Sequence, residues 1–244
     1  IQRGLYAECG CCAASAQNGH FFADDVNARF FEGAHIPGAI GDMACHIVDP
    51  VFWALKLYEA PSYTVEVVQQ TGLTQEPFPN SPIIKYEFPA RGDMDPVTVY
   101  WYDGGLLPKR PEGVPENEKL GDGENGSLFI GTDGVLTTGT YGGDTRMRPA
   151  ERMKDFTRPT PTLERIPDEN PYMHWINACK NGTEAVSPFS YAGPLTEFAN
   201  MGNVALLAGA IAVGAFQRDI DIAGHVVALA DRDLAQRQRL AAHR

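Results

Sequence analysis

Apolar and polar positions change their period along the chain, and the changes mark its elements. From Gly41 to Leu57 the spacing is helical: Asp42 opens the run, and Phe52, Trp53, Leu55 and Leu57 supply an apolar surface. Pro50 lacks the N–H that an interior helical position needs, so the helix either kinks there or restarts, with Asp49 as cap and Pro50 as first residue. Period-2, β-branched and aromatic runs follow in YTVEVVQQ (Tyr63 to Gln70), PIIKYEF (Pro82 to Phe88) and VTVYWYD (Val97 to Asp103). SLFIGTDGVLTTGTY reads as two further strands joined through Asp133-Gly134. Leu106 to Gly126 is turn-rich and expected to be an exposed loop, and the proline- and charge-rich residues 142–169 should wrap the surface. NPYMHWINACKNG predicts a short helix with an Asn-Gly stop, and PLTEFANMGNVALLAG a longer one. Residues 1–37 show no clear period and read as loop with one short helix. Strands grouped before helices, without βαβ alternation, predict an α+β fold with an open-faced, mostly antiparallel sheet.

Composition narrows the function classes. With 43% apolar and 21% charged residues among 244, the chain is globular in character. A formal net charge of −11 argues against nucleic acid, whose phosphates need clustered Lys and Arg. The most apolar stretch, Asn203 to Phe216, is too short to span a bilayer and holds two glycines. No basic segment followed by an apolar stretch opens the chain. The expectation is a soluble protein, cytoplasmic unless an export signal lies upstream. Cys9, Cys11, Cys12, Cys45 and Cys179 are odd in number and too crowded for a disulfide framework. The CGCC cluster lacks a second pair of zinc ligands, which His20 or His35 alone would not supply, so no metal is expected.

Several motifs have a plain reading. GDGENG (Gly121 to Gly126) matches a dinucleotide fingerprint, but it follows ENEKL, precedes a strand, and carries two acids that would repel phosphate, so it reads as a turn. RGD (Arg91 to Asp93) lies between strands and also reads as a turn. Trp101 and Tyr102 are either cross-strand packing or an aromatic shelf beside a polar ligand. His174 is a capping or core residue as readily as a ligand contact. The denser signal is GAIGDMACHIVDP (Gly38 to Pro50). His46 follows Asp42 by four residues on one helix face, and Asp49 lies three further on. A carboxylate one turn from an imidazole suits general acid–base chemistry. A structural histidine is the equal alternative, and a metal site of Asp42, His46 and Asp49 lacks a fourth ligand.

These segments resemble a known family. GDMACHIVDPVFWALKL is similar to the signature segment in the substrate-binding half of the Gfo/Idh/MocA oxidoreductases, the glucose–fructose oxidoreductase and inositol dehydrogenase group. The likeness continues through IIKYEFPARGDMDPVTVYWYDGG, GSLFIGTDGVLTTGTYGG, HWINACKNG and FSYAGPLTEFANMGNVALLAG, and is greatest to a bacterial branch. The resemblance implies a C-terminal domain following a Rossmann domain that binds NAD or NADP. It implies proton exchange by His46 with a hydroxyl of a sugar, polyol or derivative, and orientation by Asp42; beside them Asp49 is read as a capping or supporting residue, and Trp101, Tyr102 and His174 as candidates for the pocket lining. It also implies pairing of copies through the sheet face. The chain departs from the family in lacking a cofactor fingerprint and a Glu-Lys-Pro motif. Only 37 residues precede the family-like part, against the ~100 of a dinucleotide-binding domain. Residues 1–37 and the tail 210–244 are atypical, flanking a domain expected at 38–209. The chain reads either as a fragment with misread ends, inactive alone, or as a divergent single domain. The remaining alternatives are an NAD-dependent glycoside hydrolase and a non-catalytic sugar-binding or assembly module.

Overall fold

The alternating runs become neighbouring strands in the computed structural model, which describes residues 4–9, 38–71, 81–122, 125–163, 165–166, 169–209, 211–215 and 227–228. In chain order the elements begin with β1 (Gly4–Cys9), α1 (Gly38–Ile47), α2 (Asp49–Ala54) and a 3-10 turn (Leu57–Glu59). Strands β2 (Tyr63–Gln69), β3 (Ile83–Phe88), β4 (Val97–Tyr102), β5 (Asn125–Gly131), β6 (Gly134–Thr138) and β7 (Arg146–Arg148) follow. The chain then forms a second 3-10 turn (Ala150–Met153), α3 (Pro171–Asn181), α4 (Phe189–Ala208), β8 (Ala212–Gly214) and β9 (Val227–Ala228). They form one sheet in the order β7-β6-β5-β1-β4-β3-β2-β8-β9. Its described pairings are antiparallel except β1 with β4, which is parallel. The fold is α+β with an open, mostly antiparallel sheet.

Two expectations need correction. Gly4–Cys9 is a strand, not loop, and sits near the middle of the sheet between β4 and β5. Its backbone pairs on both sides, and that non-local pairing overrides a weak local pattern. The reading of residues 10–37 lies outside the described residues. The helix predicted from Gly41 does restart at Pro50, but Val48 occupies the cap position and offers no side-chain bond. Asp49 stands inside the first turn, its carboxylate taken up elsewhere.

The sheet alternates cleanly where it meets the helices. In β4, Val97, Val99 and Trp101 are buried while Thr98, Tyr100 and Tyr102 are half-buried on the opposite face. Tyr63, Val65, Ile84, Tyr86 and Phe88 join the same core. From the helices it receives Ile40, Ala44, Ile47 and Val48 at successive turns, with Val51, Phe52 and Phe198. Burial of each such large side chain is worth about 1.5–3 kcal/mol.

The connections that read as exposed are pinned at a few points. Arg91 of the RGD turn is 4% exposed, and its guanidinium donates to the carbonyls of Leu55, Pro89 and Asp95. Asp93 pairs with Lys56 at 2.9 Å, so the turn braces the end of α2 and presents no free arginine. Glu118, within the predicted exposed loop, accepts from Arg148 at 3.2 Å and from the Ala150 N–H. Of GDGENG, Gly121 and Asp122 form a turn and Asn125 and Gly126 open β5, while residues 123–124 lie outside the described residues; a methyl on Gly121 or Gly126, both at positive φ, would overlap the backbone carbonyl of Asn125 or Thr138.

Helix α4 approaches the sheet closely at Gly202. The Tyr86 ring stacks on Phe198 with centroids 4.0 Å apart, and its hydroxyl donates to the Phe198 carbonyl at 3.3 Å. A methyl on Gly202 would overlap that hydroxyl. Gly202→Ala is therefore expected to destabilise the fold by about 1–3 kcal/mol in urea denaturation. Adding Tyr86→Phe should recover part of the loss as a favourable coupling; additive costs would mean that the close approach does not govern the packing.

Candidate functional site

Helix α1 owes its placement to its buried stripe, and that stripe decides what it shows to solvent. With Ile40, Ala44 and Ile47 turned into the core, Asp42, Cys45 and His46 are exposed. Ser127 of β5 donates to the Ile47 carbonyl at 2.8 Å, a buried bond that fixes the helix end next to His46. The Cys45 thiol, which donates to the Asp42 carbonyl at 3.4 Å, is pushed up first by burial and then by the negative charge of Asp42. Asp42 and His46 share the exposed face one turn apart, with no hydrogen bond between them among the described residues. What meets the imidazole is Tyr141, edge to face, with ring centroids 5.1 Å apart.

Asp49 does not act as a cap. Its Oδ1 accepts the Tyr191 hydroxyl at 2.6 Å, joining α2 to the first turn of α4. Burial, and then this bond, raise the Tyr191 hydroxyl well above its ordinary range. Asp49, Cys45 and Tyr191 line an open cleft of about 2840 Å³ together with Met147, Phe156 and Leu163. Among the described residues, Cys45 is the only one of α1 in that lining; Asp42, His46 and Tyr141 stand outside it.

The other expected lining residues lie elsewhere. Trp101 is fully buried in the core and offers no surface to a ligand. Tyr102, its neighbour on β4, points to the opposite sheet face, away from α1, because successive strand residues alternate. His174 is half-buried on α3, which has only Ala178 buried, and no described contact links it to Asp42 or His46. The residue missed from sequence is Tyr141. Its signal was the glycine-rich GTYGG between two strands, but nothing local shows that this turn comes back to α1. Among the described residues no three His, Cys, Asp or Glu side chains converge to hold a metal ion. Cys11, Cys12, His20 and His35 lie outside the described residues.

Asp103, at the end of β4, is a buried acid outside this cluster. Burial pushes its carboxyl up to about 6, partly offset by the Gly104 N–H, which donates to Oδ1 at 2.6 Å. The folded chain thus keeps this proton to higher pH than the unfolded chain does. Stability from this group is greatest below about pH 4 and falls as pH rises toward 6, by up to about 3 kcal/mol. Asp103→Asn retains the acceptor and should abolish that fall, giving a more stable protein near neutrality. Denaturation across this pH range checks it: identical slopes in the two proteins would place the titration elsewhere.

No family model matches the sequence, and no curated protein matches it. In structure the chain is similar to an oxidoreductase from Agrobacterium radiobacter solved in complex with NAD+, L-tartaric acid and magnesium, with a TM-score of 0.41 and 12% identity. The match covers 86% of this chain and 56% of that one, so this chain spans about half the length of that protein.

Proposed function

We propose that the chain is the substrate-binding, acid–base half of an NAD(P)-dependent oxidoreductase of the Gfo/Idh/MocA kind, acting on a sugar or polyol. The observation that carries the reading is the exposed pair Asp42 and His46 on a helix whose other side is locked into the core. The resemblance of that helix and of the later segments to the family supports it. His46 exchanges a proton with a substrate hydroxyl, for which an exposed imidazole on a rigid element is suited. Asp42 stands one turn away on the same exposed face, where its carboxylate positions the substrate by accepting from a second hydroxyl.

The described residues do not fit a dinucleotide. The one glycine fingerprint leads straight into strand β5, with Asp122 accepting from Asn125 and Thr140, and no helix opens behind it to meet a pyrophosphate. No hydride step is therefore assigned to this chain.

The test is polyol-dependent reduction of NAD+ or NADP+ by the chain fused behind a dinucleotide-binding domain. His46→Gln should lower kcat by about 10²–10⁴-fold, Asp42→Asn by less, with circular dichroism unchanged because both side chains are exposed. Turnover untouched by His46→Gln would sink the proposal.

A further inference from the structure

Tyr141 is 75% exposed, and single exposed aromatics are commonplace. The turn that carries this one is not ordinary surface loop. Gly142 N–H bonds the Gly139 carbonyl at 3.1 Å and Gly139 N–H bonds the Gly143 carbonyl at 2.8 Å, closing the backbone around Tyr141. Thr140, its neighbour, donates to Asp122 through both its N–H and its hydroxyl. Thr138 and Thr145 donate to the carbonyls of Gly143 and Gly142. Gly142, at φ +74°, lies against Pro50 of α2, close enough that a methyl there would come within 3.1 Å of the proline ring. Each residue around Tyr141 is held, and the tyrosine ring is the one large group that the turn displays. Its edge contact with His46 leaves most of the ring open beside the proposed acid–base residue.

We infer that Tyr141 is the stacking platform of the substrate subsite, receiving the C–H face of a pyranose or cyclitol ring while Asp42 and His46 meet its hydroxyls. This rests on the reading of Asp42 and His46 given above. An apolar ring face beside polar hydrogen-bonding groups matches the two-sided chemistry of a carbohydrate ring. A turn fixed before binding spares the ligand the cost of ordering the aromatic. The inference assigns Tyr141 to binding and gives it no part in proton transfer, so its hydroxyl is dispensable.

The experiment is saturation-transfer NMR on the purified chain, with myo-inositol and methyl β-D-glucopyranoside as probes. Expected is saturation on ring C–H protons with the wild type and with Tyr141→Phe, and affinity weakened about tenfold or more with Tyr141→Ala. Tyr141 is exposed, so neither change disturbs the core. Binding unchanged by Tyr141→Ala but lost with His46→Gln would overturn the platform and leave the His46-centred reading standing. Binding lost with Tyr141→Ala but unaffected by His46→Gln would keep the platform and count against His46. No saturation of either probe by the wild type would overturn the inference.

Discussion

The seating of α4 on Tyr86 of β3 is the constraint from which the rest of the fold follows. Phe198 stacks on the Tyr86 ring, and Gly202, one turn later, admits the hydroxyl that a side chain would exclude. With α4 that close to the sheet, Ile40 of α1 packs into the same contact, since its side chain also borders the space beside Gly202. The first helix is thus placed by the last, across most of the sequence. Its orientation is completed by the Ser127 bond to the Ile47 carbonyl. His46 points outward because the neighbouring Ile47 cannot, and this is how an apolar packing requirement comes to set the direction of a polar side chain.

The strands from β2 to β6 were legible because their signal is local: alternation and turn chemistry lie within a few residues of each other. The same holds for Asp42 and His46, whose shared face follows from the helical repeat alone. What sequence left hidden depends on distant pairing. Gly4–Cys9 becomes a strand only because β4 and β5 leave a slot with donors and acceptors on both sides. Trp101 and Tyr102 looked alike as candidates, and only the side on which the helices pack decided that one is core and the other is not. Asp49 looked like a cap from its place before Pro50. Its partner, Tyr191, is brought in by α4 and is invisible to any local pattern.

Loops rich in Gly, Pro and charge were expected to lie free on the surface, and several are anchored by single ionic groups instead. Arg91 gathers three carbonyls, Glu118 holds Arg148 and the Ala150 N–H, and Asp122 holds two backbone N–H groups and a hydroxyl. A charged side chain satisfying several backbone groups replaces the ladder that a loop lacks. The charges in these segments therefore do more than face solvent, and a count of net charge says nothing of that role.

The two parts of the candidate site have separate supports that share one frame. Ser127, on β5, holds the end of α1 that carries His46. Asp122, in the turn leading into β5, holds Thr140 beside Tyr141, and β6 joins the two as the partner strand of β5. Both supports hang on the β5–β6 hairpin, which ties the placement of the imidazole to that of the phenol ring. That is the property a site needs if one side chain is to receive a ring face while the other reaches a hydroxyl on the same ring. The contact of Gly142 with Pro50 closes the arrangement from the other side, tying the turn to α2 as well as to the sheet. A glycine-rich connection between two strands is, in this fold, bonded to the sheet through Asp122 and packed on α2 through Pro50.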